Sequence, residues 1–282
     1  MSATPYRAVL TGATGGIGRA IAVRLAPRCA MLLLVARDGA KLEALQRGII
    51  GNGGRCRTVA ADLTTEAGRD AVLRAAQALP GGIDLLVNNA GAGAFALLAD
   101  QDDAALERIV RVNLLAPMQL ARRLLPLLRA QPTAHVVNIG SIFGYLGYPG
   151  CATYSASKFA LRGFSEALRR ELADSPVRVS HLAPRAVRTA MNSAALCALN
   201  AELGVAMDDP EIVADALMAL LRRPARERLL GMPERLFARL NQILPGLVDR
   251  ALRRQLPVIR RHARGEGAAP AEPMDTSAHP ST

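Results

Sequence analysis

From residue 7 onward, short apolar runs alternate with longer stretches in which apolar residues recur at helical spacing. Short apolar runs bounded by turn residues are typical of buried strands, and their alternation with helices is typical of a parallel sheet covered on both faces. We therefore predict an α/β, doubly wound fold. The predicted strands lie at 7–11, 30–36, 57–61, 83–88, 134–140, 177–183 and 227–231. The predicted helices lie at 16–27, 39–50, 66–79, 102–129, 153–174 and 210–222.

The first strand leads directly into a glycine-rich turn that a helix follows. The turn comprises Thr11, Gly12, Ala13, Thr14, Gly15, Gly16, Ile17 and Gly18. Glycines permit positive φ angles and let backbone N–H groups approach a phosphate, while a helix N-terminus contributes partial positive charge. The spacing is G-x-x-x-G-x-G, not the commoner G-x-G-x-x-G. This turn predicts a pyrophosphate site, and a tight strand-to-helix turn without a ligand is the alternative.

Tyr154 and Lys158 lie four residues apart in a predicted helix, so their side chains share one face of it. An ammonium beside a phenol favours the phenolate and brings the pKa of the tyrosine down toward neutrality. Lysine occurs only at positions 41 and 158 in a chain with 35 Lys and Arg residues. A guanidinium cannot imitate a compact ammonium. The pair predicts an acid–base site, and an ordinary amphipathic helix face is the alternative.

Cysteine usage and hydropathy limit the class of protein. The four cysteines match neither zinc-site nor disulfide spacing, so we predict no metal centre and a reducing, cytoplasmic environment. No apolar run approaches the roughly 20 residues of a membrane span, and the first predicted strand begins without a signal-peptide pattern.

The formal net charge of +11 is typical of a nucleic-acid-binding protein, but its distribution argues against that function. Residues 222–264 contain twelve arginines and three acidic residues, a net charge of +9, whereas residues 1–221 carry +5 and the tail after residue 264 carries −3, so most of the excess positive charge lies in one C-terminal segment. No aromatic stacking platform accompanies these arginines. We therefore predict no nucleic-acid partner, and mobility shifts with competitor salt would test this.

Five motifs occur in a characteristic order. They are Thr11-Gly12-x-x-x-Gly16-x-Gly18, Asn88-Asn89-Ala90-Gly91, Asn113, Ser141 and Tyr154-x-x-x-Lys158. Together they resemble the short-chain dehydrogenase/reductase family, in its single-domain subgroup with a Tyr-x-x-x-Lys active site, over about residues 5–232. The resemblance implies a Rossmann-type, seven-stranded parallel sheet in the order 3-2-1-4-5-6-7, and a homodimer or homotetramer.

The resemblance also implies roles for the four catalytic candidates. Tyr154 would be the general acid in carbonyl reduction, and Lys158 would lower its pKa and bind the nicotinamide ribose. Ser141 would hold the substrate oxygen. Asn113 would lie in a distorted helix that anchors a water on the proton path. These roles suit hydride transfer, because the alkoxide that it creates needs a positioned proton donor. Taken alone, Ser141 would be better interpreted as a capping residue and Asn113 as a surface residue in the middle of a helix.

The resemblance implies a dinucleotide cofactor held by several segments. Its contacts would come from the glycine turn, Asp62, Leu63, Asn89, Ala90, Gly91, Tyr154, Lys158, Pro184, Val187 and Thr189. At the end of the second strand stands Arg37, which can pair with a 2′-phosphate, whereas an acidic residue there would bind a ribose hydroxyl. Arg37 predicts NADP(H) over NAD(H), and the adjacent Asp38 is the argument for NAD(H).

One position departs from the family pattern. The family usually reads Pro-Gly-x-Val-x-Thr after the sixth strand, and this chain has Arg185 in place of the glycine. The guanidinium either turns into solvent or faces the cofactor and substrate, where it could pair with a carboxylate or phosphate.

The apolar segment 190–208 suits a lid over a hydrophobic substrate or a dimer contact. The other expected pocket walls are Gly93, Phe95, Ile142, Phe143, Tyr145, Leu146 and Tyr148.

The C-terminal part lies outside the resemblance. We divide the chain into a catalytic domain over 1–232, a basic amphipathic helical extension over 233–264 and a disordered tail over 265–282. In the extension, apolar residues recur at helical spacing between arginines, and Pro245 and Pro257 are expected to break the run. The extension could pack on the domain, cover the substrate mouth, pair with another subunit or contact an anionic membrane at its periphery.

The leading interpretation is an NADP(H)-dependent oxidoreductase that interconverts a lipophilic or acyl-type ketone and a secondary alcohol. The alternative is a non-catalytic, dinucleotide-binding regulatory protein on the same fold. The intact set of Asn113, Ser141, Tyr154 and Lys158 argues against that alternative, because a binding protein needs no proton relay.

Overall fold

The computed structural model describes residues 5–265, which contain a seven-stranded sheet in the order 3-2-1-4-5-6-7. Every neighbouring pair of strands is parallel, so the predicted fold class and strand order are confirmed. The strands are β1 (Tyr6–Thr11), β2 (Cys29–Ala36), β3 (Cys56–Ala60), β4 (Leu85–Asn88), β5 (Ala134–Ile139), β6 (Val177–Ala183) and β7 (Glu227–Leu229).

Helices occupy the connections and the C-terminal part of the described chain. They are α1 (Gly16–Leu25), α2 (Gly39–Gly51), α3 (Glu66–Gln77), α4 (Asp103–Val110), α5 (Ala116–Arg129), α6 (Ala152–Glu171), α7 (Ala194–Glu202), α8 (Pro210–Arg222), α9 (Met232–Ile243) and α10 (Pro245–Ala263). The single helix expected over 102–129 is interrupted, because the π turn Arg111–Leu115 joins α4 to α5. Such turns are single-turn bulges in α-helices and are frequent at functional sites.

The core has two layers because both faces of the sheet are covered. Successive residues of a strand point to opposite faces, so Leu10 of β1 packs in the layer that contains α1 and α8, and Val9 packs with α3 and α5. Both residues are fully buried. This burial on two faces explains why the strands read as continuous apolar runs.

The extension forms two helices, α9 and α10, that contact each other and pack on the domain. Ala238, Val248 and Ile259 are buried there. The expected break at Pro257 is wrong, because α10 continues through that residue to Ala263. A proline removes one helical hydrogen bond, and buried residues on both sides of it hold the helix in place. The expected disordered tail lies, apart from Gly265, outside the described residues.

Over residues 5–265, no helix combines the length and the apolar character that crossing a bilayer requires.

Candidate active site

The four catalytic candidates meet near the carboxyl end of the sheet. Ser141 follows β5, Asn113 lies in the π turn, and Tyr154 and Lys158 belong to the first turns of α6. The carboxyl ends of parallel strands are where open α/β sheets bind ligands. The fold therefore gathers residues that are separated by up to 45 positions in the sequence.

Lys158 is held inside the site by one backbone contact. Its Nζ donates a hydrogen bond to the carbonyl oxygen of Ile139 at 3.2 Å and lies 5.7 Å from the centre of the Tyr154 ring. Only 5 % of the residue is exposed. Burial penalises the ammonium and lowers the pKa of Lys158 to about 8. The cation therefore persists at neutral pH beside the phenol.

Burial acts in the opposite direction on the tyrosine. It raises the pKa of Tyr154 to about 12, because the phenolate would lose hydration, while the Ser141 side chain opposes the increase. This differs from the expectation that the neighbouring ammonium brings this pKa toward neutrality. In this structure desolvation outweighs the hydrogen bond with Ser141, which alone opposes it, so Tyr154 holds its proton at neutral pH. A protonated phenol is a proton donor.

Asn113 fastens the π turn to two other segments. Its Nδ2 donates to Ser157 Oγ and to the carbonyl oxygen of Ala92, both at 3.0 Å, and its Oδ1 accepts from the amide of Ala92 at 2.8 Å. Ser157 immediately precedes Lys158 on α6, so this contact fixes the helix that carries the acid–base pair. Sequence reasoning missed Ser157 and Ala92, because their partner lies 44 and 21 positions away.

Aromatic residues stand beside the phenol of Tyr154. The ring of Phe143 meets the Tyr154 ring edge-to-face at 6.3 Å between centroids and stacks on Tyr148 at 5.0 Å. Ser141 accepts a hydrogen bond from the Phe143 amide at 3.2 Å and so also has the capping role that was its alternative. Tyr145 lines a cavity beside β7 and α9 that none of the four catalytic candidates borders. Its hydroxyl donates to Glu227 at 2.7 Å on the side of β7.

The glycine-rich turn is compact and open to a ligand. Gly12 has a φ of +64°, and a Cβ there would lie 2.8 Å from the Cα of Ala90. Helix α1 begins at Gly16 after Gly15, with no capping side chain from the described residues. Its first amides are thus free to bind an anion. Thr14 and Ile17 complete the turn and Gly18 lies in the first turn of α1.

Hydrogen bonds tie this turn to the Asn-Asn-Ala-Gly segment. Thr11 Oγ1 accepts from the amides of Asn89 at 2.9 Å and Ala90 at 3.0 Å, and the Asn89 side chain donates back to the carbonyl oxygen of Thr11 at 3.0 Å. Gly91 continues the segment, and a Cβ there would lie 3.8 Å from Lys158 Nζ. The turn and Lys158 therefore lie on either side of the Asn-Asn-Ala-Gly segment, and we call the surface that runs between them the groove.

The tips of β2 and β3 supply the charged groups at the far end of this groove. Arg37 is exposed directly after β2, and Asp62 precedes the buried Leu63 after β3. The Thr64 amide and, to a smaller extent, the Arg37 charge hold the pKa of Asp62 below its usual value. Asp38 caps α2 by accepting from the Lys41 amide at 3.0 Å and pairs with the Lys41 ammonium at 3.1 Å.

A sequence profile described as short chain dehydrogenase matches residues 7–197. The chain belongs to the short-chain dehydrogenase family. A ketoacyl reductase, HetN, from Nostoc is 31% identical over 252 residues, with 87% of each chain covered.

Solved structures agree with this family assignment. A short-chain dehydrogenase/reductase from Burkholderia phymatum in complex with NAD is 26% identical, with a TM-score of 0.79 over 88% of this chain and 96% of that one. A metagenomic short-chain oxidoreductase in complex with NADP is 35% identical, with a TM-score of 0.69 over 82% of this chain and 98% of that one.

The glycine turn and the groove of this short-chain dehydrogenase fit a dinucleotide. The uncapped amides of α1 suit a pyrophosphate, and the Gly91 backbone leaves space beside Lys158. After β6, Pro184 is buried and its carbonyl oxygen accepts from the Ile142 amide at 2.9 Å. Val187 is buried as well. Thr189 lies against the glycine turn, because a Cβ on Gly16 would lie 2.7 Å from the Thr189 methyl group.

Arg185 is the position at which this chain departs from the pattern of short-chain dehydrogenases. Its side chain neither turns into solvent nor is free to pair with a cofactor or substrate. Its guanidinium pairs with Asp208 at 2.7 Å and with Glu234 at 3.3 Å. These carboxylates belong to the end of the 190–208 segment and to α9. Arg185 therefore connects the loop after β6, the expected lid and the extension through ion pairs within the chain. The partners lie 23 and 49 positions away, so local sequence gave no signal for them.

The expected lid over 190–208 contains α7 and lies along the same groove. Met191 lies against the end of the Asn-Asn-Ala-Gly segment, because a Cβ on Gly91 would lie 3.7 Å from Met191 Cε. Leu199 of α7 is fully buried. The C-terminal helix holds this segment from outside, since Glu202 accepts hydrogen bonds from Arg261 and, at 2.7 Å, from His262.

Proposed function

We propose that this short-chain dehydrogenase is an NADP(H)-dependent oxidoreductase that interconverts a ketone and a secondary alcohol. The observation that carries the proposal is that the ammonium of the buried Lys158 lies 5.7 Å from the ring of the half-buried Tyr154. Asn113 and Ser157 lock the helix that carries the pair. A protein that only bound a dinucleotide would need none of this proton-transfer machinery.

Tyr154, Ser141 and Lys158 each have a separate role in carbonyl reduction. Tyr154 donates its proton to the carbonyl oxygen as charge develops on it, and Ser141 holds that oxygen. The positive charge of Lys158 stabilises the phenolate that remains. The nicotinamide of the bound cofactor supplies the hydride. Because burial raises the pKa of Tyr154 to about 12, the phenol keeps its proton at neutral pH and can act as the acid, and we propose reduction as the direction in the cell.

Cofactor choice rests on the end of β2. Arg37 is exposed at the strand tip, where its guanidinium can pair with a 2′-phosphate. Asp38, the argument for NAD(H), is already engaged by the amide and the ammonium of Lys41. A carboxylate held in this way is a poor acceptor for a ribose hydroxyl. This arrangement supports NADP(H), within a family whose similar structures hold either NAD or NADP.

Replacing Arg37 by Ala is expected to raise the KM for NADPH about tenfold or more and to leave the KM for NADH nearly unchanged, because only the phosphate contact is lost. Steady-state kinetics with both cofactors measure this. Arg57→Ala is the matched control, since Arg57 is also exposed but lies at the start of β3, away from the strand tips. A wild-type preference for NADH that Arg37→Ala leaves unaltered would refute the assignment.

The substrate is proposed to be lipophilic or acyl-type. Phe143 and Tyr148 stand beside the phenol of Tyr154, and Met191 stands over the opposite segment. Apolar walls with few polar groups suit a ketone with an extended hydrocarbon part. The similarity to a ketoacyl reductase supports the same substrate class. Assembly as a homodimer or homotetramer and a cytoplasmic location complete the proposal.

The test is a screen of NADPH oxidation over ketones and 3-oxoacyl esters of increasing chain length. We expect turnover that improves as the chain lengthens, because each added methylene buries more apolar surface. NADPH oxidation is followed at its absorbance band, with Tyr154→Phe as the blank. No turnover of any carbonyl, combined with tight NADPH binding, would favour the non-catalytic alternative.

A further inference from the structure

The outer surface of the C-terminal hairpin, α9 with α10, exposes an unusual number of large apolar side chains. Six of the fourteen large hydrophobic residues that are exposed in the described chain lie within residues 232–247. They are Met232 at 72%, Leu236 at 67%, Phe237 at 45%, Ile243 at 76%, Leu244 at 51% and Leu247 at 50% exposure. We call these six residues the apolar patch. Such a concentration marks an interaction surface.

Arginines surround this patch. Arg235 and Arg239 lie exposed on α9, and exposed arginines continue along the solvent face of α10. The latter are Arg250, Arg253, Arg254, Arg260, Arg261 and Arg264. Of these eight, only Arg261 forms a salt bridge with an acidic residue in the described part of the chain. The other seven guanidinium groups are available to an anionic partner.

The hairpin presents this surface in a fixed orientation. On its inner side, Glu234 pairs with Arg185 at 3.3 Å, Asn241 donates to the Tyr145 carbonyl oxygen at 3.0 Å, and Ala238 is 1% exposed. At the other end of the hairpin, His262 pairs with Glu202 of α7. The domain therefore holds the inner face, and the apolar patch and the arginines remain outside.

We propose that the outer face of this hairpin docks on an anionic lipid surface. The bend between α9 and α10 is apolar and exposed at Ile243, Leu244 and Leu247, so these side chains insert at the level of the acyl chains. The arginines around them pair with lipid phosphates. Charge complementarity selects this occupant over a second copy of the chain, because two such faces would bring arginines against arginines. The proposal does not depend on the reaction proposed above.

Docking of the hairpin bears on the candidate active site, because the inner side of the hairpin packs against segments near that site. Ile259 of α10 is fully buried, and a Cβ on Gly150 would lie 3.5 Å from its Cγ2 and 2.7 Å from the Phe95 ring. Phe95 is one of the expected pocket walls, and α10 also contacts α7 of the lid. The surface that we place on the lipid therefore belongs to the same hairpin that packs beside Phe95 and α7.

Co-sedimentation of the full chain with vesicles tests the proposal. One set of vesicles contains phosphatidylcholine alone, and the other contains phosphatidylcholine mixed with phosphatidylglycerol. We expect binding to the anionic vesicles, release by rising sodium chloride, and little binding to the neutral ones. The double variant Ile243→Asp/Leu247→Asp and the double variant Arg250→Glu/Arg254→Glu should each weaken binding by about tenfold or more.

The control variant is Val23→Asp/Ile50→Asp, which places the same charges at positions that are 56% and 53% exposed on α1 and α2. It should bind like the wild type. The proposal fails if the wild type ignores anionic vesicles, if it binds both kinds equally, or if all three double variants bind alike. Sedimentation equilibrium without lipid adds a further check. A loss of oligomeric mass in Ile243→Asp/Leu247→Asp alone would show a subunit contact and overturn the lipid assignment.

Discussion

Replacing Tyr154 by Phe is expected to lower kcat/KM for ketone reduction by about 10²- to 10⁴-fold, which is the range that a positioned general acid contributes. Phenylalanine keeps the ring and its edge-to-face contact with Phe143. The change therefore removes the proton donor and leaves the packing in place. Because Tyr154 is only one of many expected cofactor contacts, the dissociation constant of NADPH should change much less than kcat/KM.

Tyr148→Phe is the matched control for this prediction. Tyr148 also stacks on Phe143, and burial likewise raises its pKa to about 12, so the same atom is removed from a similar environment. Its hydroxyl has no place in the proposed proton transfer, and the variant should keep most of the activity. NADPH oxidation with the best ketone of the screen, together with NADPH titration by fluorescence, measures both variants. Equal activity of Tyr154→Phe and the wild type would overturn the mechanism.

Replacing Gly18 by Ala is expected to destabilise the fold by about 1–3 kcal/mol and to impair dinucleotide binding, as overpacking at a rigid contact does. A Cβ on Gly18 would lie 2.0 Å from the carbonyl oxygen of Gly12 and 2.8 Å from the Asn89 side chain. The first of these atoms belongs to the backbone of the glycine turn, so only a shift of the turn itself relieves the collision. That shift also displaces the amides that are proposed to bind the pyrophosphate.

Gly48→Ala separates this effect from a general effect of alanine. Gly48 lies in α2 with no atom within 4 Å of its Cβ position, and alanine there should stabilise the helix slightly. Thermal unfolding with and without NADPH measures both variants. The Tm of Gly18→Ala should be lower, and NADPH should raise it less than it raises the wild-type Tm. An unchanged Tm with an unchanged response to NADPH would contradict the account of the turn.

The order of short apolar runs and helical stretches predicted the α/β class, and the resemblance supplied the strand order. The α/β class is local information, because a strand that is buried on both faces consists of apolar residues whichever strand it pairs with. The predicted strand from 227 to 231 matches β7, and the predicted helix from 210 to 222 coincides with α8. The candidates Ser141, Tyr154 and Lys158 likewise follow from their order and spacing along the chain.

Properties that depend on distant neighbours were not predictable in this way. No local pattern in the sequence predicts that α10 continues across Pro257. The same holds for the hydrogen bond from Tyr145 to Glu227 and for the ion pairs of Arg185, because the partners lie far away in the sequence. The pKa of Tyr154 was expected to fall because the sequence shows the charge of Lys158. It rises instead because desolvation depends on every element packed around the phenol.

The sequence by itself therefore determined the α/β class and the glycine turn, since periodicity and spacing along one chain suffice for these, and it supplied Tyr154 and Lys158 as the proposed acid–base pair. Only the tertiary structure decided that Asn113 holds α6 through Ser157 and that Arg185 connects the 190–208 segment to the extension. It also decided that the arginine-rich hairpin buries one face and exposes the other. The physical reason is the same in each case, because burial and pairing are set by neighbours in space.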